Sequence, residues 1–167
     1  MKEKQYETML AQLEGLIAGE RNMMSVLSNA SALMREVMGE RYFWVGFYLV
    51  ENDQLVLGPF QGSVACYRIG HGRGVCGTAW AQARTQVVPD VEAFPGHIAC
   101  SSLSRSEIVV PLLDGQGIVR GVLDIDSKEL AQFDETDARY LERAVINSKI
   151  QHEPRSMTAF AVVVGCE

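Results

Sequence analysis

No block of lysine or arginine stands out in these 167 residues, and the net charge is −6. That balance argues against nucleic acid and anionic membrane surfaces as main partners. No apolar run approaches the ~20 residues of a membrane-spanning helix. The N-terminus, Met1-Lys2-Glu3-Lys4-Gln5-Tyr6-Glu7, lacks the apolar core of a signal peptide. The expected compartment is therefore the cytosol, where structural disulfides are rare. There are only four cysteines, and no two are close enough for a CxxC knuckle. No internal repeat or low-complexity segment is visible.

What remains is ordinarily globular, at 47% hydrophobic and 22% charged. The length favours a single domain. Chemistry-bearing residues concentrate between Cys66 and Cys100. This stretch holds Cys66, Cys76 and Cys100, the histidines His71 and His97, and the cluster Gly70-His71-Gly72-Arg73-Gly74-Val75-Cys76-Gly77. The glycines resemble a phosphate loop only superficially, because the Lys-Ser/Thr pair of a P-loop is missing.

Periodicity predicts helices over Tyr6–Ile17 and Arg21–Val37, closed by Gly19 and Gly39. Tyr42–Val50 is aromatic and β-branched, a strand signal. Glu51-Asn52-Asp53-Gln54 then turns the chain into a partner strand, Leu55–Phe60. Trp44 fits either a core position or the aromatic wall of a pocket. A loop and short strand follow through Ile69, and Val75–Arg84 reads as a short helix. Cys76 falls in its first turn, where the helix dipole is expected to lower a thiol pKa.

Gln86–Val88 is a short strand. Asp90–Arg105 lacks periodicity but contains the apolar Phe94-Pro95-Gly96-His97-Ile98-Ala99-Cys100, so it reads as a loop folded over something. Ser106–Leu113 and Ile118–Asp126 form a hairpin about Asp114-Gly115-Gln116-Gly117. Alternation puts Val122, Asp124 and Asp126 on one face of the last strand. Either the strand is leaving the core there, or Asp126 begins a turn with Ser127, or a carboxylate pair joined by Glu107 faces a polar ligand. Asp134 is placed to cap a final helix running to about Lys149. The expected class is α+β, an antiparallel sheet with flanking helices. Residues 151–167, with the apolar run Ala159–Cys166, have no predicted structure beyond a terminal strand or tail.

Three chemistries suit the cysteines. Zinc would draw His71 and His97 together with Cys66 and Cys100, a scattered set. Inert burial suffices for one or two thiols. Thiol redox catalysis needs two cysteines on loops that can meet, with acids to bind a leaving oxygen. Glu107, Asp124 and Asp126 are candidates for those acids.

Several motifs then coincide in order: Trp44-Val45-Gly46-Phe47-Tyr48, Gly58-Pro59-Phe60-Gln61-Gly62, Gly72-Arg73-Gly74-Val75-Cys76-Gly77, His97-Ile98-Ala99-Cys100, Ser106-Glu107-Ile108-Val109 and Gly121-Val122-Leu123-Asp124-Ile125-Asp126-Ser127. Together they resemble the free methionine-R-sulfoxide reductases, small GAF-fold enzymes that reduce the free amino acid. The resemblance covers about residues 5–150 and implies one GAF domain over 1–150. It implies Cys100 as nucleophile, Cys66 as resolving thiol and Cys76 as a third cysteine that assists or exchanges disulfides. Trp44 is implied against the methyl-sulfinyl end of the substrate, with Glu107, Asp124 and Asp126 on its polar groups. Either Glu107 or Asp126 would be the acid. The family further implies thioredoxin as external reductant, no bound cofactor or metal, and a possible homodimer. Cys166 matches nothing in the family. The alternative function is a non-catalytic GAF sensor of redox state or of a small ligand.

Overall fold

Alternation along Trp44–Glu51 produces a strand, β1, that turns back through Asn52 and Asp53 into β2, Gln54–Gln61. Both turn residues hold positive φ, at +47° and +60°, as a tight hairpin requires and as Asn and Asp tolerate. The β1–β2 register shifts between Gly46 and Tyr48, opposite the Gly58-Pro59 step, a placement that accommodates a proline away from regular pairing. Arg68–Gly70 adds β3, and Gln86–Val88 forms β4. The second hairpin joins β5, Ser106–Leu113, to β6, Val119–Ser127. All pairings are antiparallel, in one sheet of order β3-β2-β1-β6-β5-β4. The expected α+β class and both hairpins are as observed. The central β1–β6 pairing joins the hairpins into one sheet.

Among the described residues four α-helices flank it. They are α1, Lys2–Ile17; α2, Met23–Met38; α3, Gly74–Gln82; and α4, Glu135–Asn147. Asn22 caps α2 by accepting from the Ser25 amide at 3.0 Å. Asp134 accepts from the Thr136 amide at 2.8 Å at the start of α4, as expected from the sequence. This computed structural model describes residues 1–98 and 100–147. The expected terminal segment, with Cys166, lies outside the described residues. Among the described residues no helix is long and apolar enough to cross a membrane.

The sheet separates two apolar layers. Val45, Phe47, Ile108, Val110, Leu123 and Ile125 face α1, α2 and α4, which contribute Tyr6, Met9, Leu27, Met34 and Leu141. That layer is the larger core, and each fully buried aliphatic or aromatic side chain in it contributes roughly 1.5–3 kcal/mol. The opposite face carries Trp44, Tyr48, Val109 and Val122 and packs against Val75, Cys76 and Ala79 of α3. Of the α2 methionines, Met34 and Met38 are buried in the first core and Met23 packs against it, while Met24 is exposed.

Candidate active site

Period-two alternation decides which side chains reach the α3 face. Trp44 lies opposite Asp126 in the β1–β6 pair, and Asp126 lies opposite Glu107 in the β5–β6 pair. An indole and two carboxylates therefore form one row across three strands. In the next row Asp124 stands between Gly46 and Val109. The expected shared face of Val122, Asp124 and Asp126 is observed, and it points inward.

Gly46 makes room for the row. A Cβ there would lie 2.3 Å from Phe60 Cβ and 2.6 Å from Trp44 Cη2, far inside van der Waals contact. The Trp44 ring folds across that space and stacks on Phe60 at 5.3 Å between centroids. Its Nε1 donates to the Ser63 carbonyl at 2.9 Å. Trp44 is thus both buried and the wall of a pocket; the two readings of the sequence are one position.

The loops on either side of α3 close the site. The predicted loop at Asp90–Arg105 contains a 3-10 turn, Val91–Ala93, and folds over the pocket with Phe94 and Ile98 packed against the smaller core. At its end Cys100 forms a disulfide with Cys66, their Cα atoms 5.6 Å apart. Cys100 itself is exposed. Trp44, Cys76, Cys100, Glu107, Asp124 and Asp126 all line one pocket, with Tyr48, Arg73, His97 and Ser104. Cys66 is tied to it through the disulfide. In this oxidised form the cavity is about 40 Å³.

The electrostatics favour protons over charges. Burial, then Asp124, then Asp126 push the Glu107 carboxyl well above the ordinary range. Asp124 is raised by burial and by Asp126. Asp126 is pushed up to about 6 by burial, with a Ser104 hydrogen bond pulling back. A buried carboxylate without a partner costs several kcal/mol, so such groups hold a proton instead. One atom stands out: among the described residues Asp124 Oδ1 is buried and has no hydrogen-bond partner, while the carboxyl as a whole meets Cys76 and Glu107. Buried polar atoms are rarely orphaned in this way, and an ammonium donor would satisfy this one.

One expectation and one alternative fail. Cys76 lies in the first turn of α3, yet its thiol pKa is raised, not lowered. Complete burial dominates, and Asp124 and Glu107 add to it; its Sγ is 3.9 Å from Glu107 Oε1. The helix dipole is worth at most ~2 kcal/mol, and it loses to desolvation beside two acids. Cys76 is the free cysteine among the described residues. The scattered zinc set also fails, because Cys66 and Cys100 bond to each other and His71 instead meets the edge of Trp80.

Two residues of the site escaped the sequence reading. The Tyr48 hydroxyl donates to the Cys66 carbonyl at 3.1 Å, tying the cysteine loop to β1. Ser104 is buried beside Asp126. The signal for Tyr48 was available, since it follows Trp44 by two alternations on the same strand.

The geometry agrees with the comparisons. A family profile described as GAF domain matches residues 20–145. The chain is 60% identical over 141 residues to GAF domain-containing protein A of Dictyostelium discoideum, covering 84% of this chain and 87% of that one. It is 48% identical over 140 residues to the free methionine-R-sulfoxide reductase of Escherichia coli, covering 84% of each. Among solved structures it is similar to the free methionine-R-sulfoxide reductase of Neisseria meningitidis in complex with its substrate, with a TM-score of 0.87, 53% identity and 94% of each chain covered.

Proposed function

The chain belongs to the GAF-domain free methionine-R-sulfoxide reductases, and from that premise we propose that Cys100 and Cys66 reduce free methionine-(R)-S-oxide through one thiol–disulfide cycle. The observation that carries this reading is the Cys66–Cys100 disulfide at the rim of a pocket lined by buried acids.

A sulfoxide sulfur is a poor electrophile until its oxygen accepts a proton or a strong hydrogen bond. Glu107 is the acid in this reading, because burial and its acidic neighbours keep its carboxyl protonated. The Cys100 thiolate attacks the sulfur while Glu107 protonates the oxygen. The hydroxyl then moves to the Cys100 sulfur as the substrate's sulfur–oxygen bond and the new sulfur–sulfur bond break; methionine takes back the electron pair, and Cys100 is left as a sulfenic acid. The Cys66 thiol then attacks the Cys100 sulfur, releasing water and forming the disulfide.

Asp124 and Asp126 hold the substrate ammonium, which gives the unpaired Asp124 Oδ1 its donor. A peptide nitrogen carries no charge, so this subsite selects the free amino acid. Trp44 supplies an apolar wall for the methyl-sulfinyl end. Cys76, buried and held as a neutral thiol, stays outside the first exchange. The small cavity of the disulfide form opens when reduction frees the Cys100 loop. Thioredoxin is the external dithiol in this scheme, attacking at the exposed Cys100.

The test is NADPH consumption by the protein with thioredoxin, thioredoxin reductase and each epimer of free methionine sulfoxide. Turnover of the R epimer alone is expected. Binding without turnover of either epimer would favour a ligand sensor and overturn the proposal.

A further inference from the structure

The cycle above leaves one pocket imidazole without a role. His97 ends the turn Phe94-Pro95-Gly96-His97, its amide donating to the Phe94 carbonyl at 3.1 Å. Proline is second in this turn and Gly96 third, with φ +73°, the arrangement of a type II turn. Upstream, Asp90 caps the Val91–Ala93 turn by accepting from the Glu92 amide at 3.0 Å, and Val91 is buried. This placement of the imidazole is that of the disulfide form, the state that follows each reduction.

The ring spans the boundary of the site. His97 Nε2 is 4.0 Å from Glu107 Oε2, and the His97 side chain is 16% exposed against 8% for Glu107. We infer that His97 is the proton relay that returns a proton to Glu107 after each reduction. This rests on the reading of Glu107 as the acid.

The need follows from the balance of the reaction. Each reduction moves the Glu107 proton to the substrate oxygen, where it ends as the sulfenic hydroxyl and then in water. Glu107 is left an anion beneath a closed loop, beside Asp124 and Asp126. His97 takes a proton from solvent at one nitrogen and gives one to Glu107 from the other.

Its surroundings suit transfer in that direction. Burial lowers the His97 pKa, and Glu92 partly offsets this. The ring is thus neutral at rest and gives up an added proton readily. Glu107 faces it from β5, with Cys76, Asp124 and Asp126 beyond, and Arg73 lines the same pocket. The 4.0 Å gap is closed by one water or a small side-chain rotation, as catalytic contacts often are during turnover.

The test compares wild type with His97→Ala and His97→Gln at saturating dithiothreitol. The expected result is that both variants still form one methionine per chain in a single turnover, which shows the site assembled. Their steady-state kcat should fall on the order of tenfold or more. Imidazole should restore much of the loss in His97→Ala, whereas pyrazole, of similar shape but far less basic, should not. Unchanged kcat, or equal rescue by both heterocycles, would overturn the relay while leaving the reductase reading intact. A wild-type protein that forms no methionine would remove both.

Discussion

Glu107 stands directly opposite Asp126 in the β5–β6 ladder. Directly opposed side chains have Cβ atoms roughly 4.5–5.5 Å apart, so both carboxylates cannot carry charge in a buried pocket without cost. The outcome is a division of labour, with one group protonated and one available to an ammonium. Asp126, pushed up to about 6, gains its charge as pH rises through that value, while the substrate ammonium keeps its own. Affinity of the reduced protein for methionine should therefore increase from pH 5 to pH 7. The stability contribution has the opposite sign. Between the unfolded carboxyl value of about 4 and about 6, the folded state holds a proton that the unfolded chain has lost. Stability of the ligand-free protein from this group is lost as pH rises through that window. Thermal melts of the reduced protein with and without methionine check both. A methionine-induced shift that is equal at pH 5 and pH 7 would contradict the assignment.

Glu107→Gln removes the transferable proton but keeps the shape. The first-turnover rate should fall by about 10²–10⁴, with a smaller effect on methionine affinity. Rapid-quench measurement of methionine formation decides this. An unchanged first-turnover rate would return the acid's role to Asp126.

Gly46→Ala tests the seat of the indole. The added methyl meets Phe60 and Trp44 at less than 3 Å, so the ring must shift or the sheet must strain. A loss of about 1–3 kcal/mol and a raised KM for the sulfoxide are expected, from urea melts and steady-state kinetics. A wild-type KM would mean that Trp44 does not shape the substrate site.

Asp137→Asn probes the opposite face. Asp137 is fully buried, accepts from the Tyr6 hydroxyl at 2.6 Å and from the Asp134 amide at 2.8 Å, and pairs with Lys2 and with Arg41 at 3.3 Å. The Tyr6 hydroxyl is also 2.8 Å from that of Tyr42, so one carboxylate ties α1, the segment before β1 and α4 together. Lys2 and Arg41 keep solvent access, so the loss is that of hydrogen bonds to a charged group, about 1.5–3 kcal/mol. Chemical denaturation should show a loss near that range with a near-wild-type kcat. A stability change under 1 kcal/mol would show the network to be dispensable.

Much of this architecture is written locally. Period-two alternation was enough to put Asp124 and Asp126 on one face, and the Asn-Asp turn and the Asp134 cap mark element ends by short-range chemistry. The hairpins follow from adjacent strands. What local pattern does not carry is the β1–β6 pairing, which sets Trp44 beside Asp126 across some eighty residues of chain. The thiol of Cys76 was misread for the same reason. Its position in a helix turn is local, but the two acids that outweigh the dipole arrive from β5 and β6. The roles of Tyr48 and Asp137 also depend on partners distant in sequence. The Cys66–Cys100 pairing came from family resemblance; spacing alone left zinc and inert burial open.

The central claim is that two particular sulfurs carry the electrons. Pre-reduced protein should be mixed with excess free methionine-(R)-S-oxide in the absence of reductant, quenched in acid, and assayed for methionine and for disulfide connectivity by mass spectrometry. The account predicts one methionine per chain, a new Cys66–Cys100 bond and an intact Cys76 thiol, with Cys66→Ser still yielding its one methionine and Cys100→Ser none. Methionine formed by Cys100→Ser, or formed by the wild type with Cys66 and Cys100 still reduced, would contradict it.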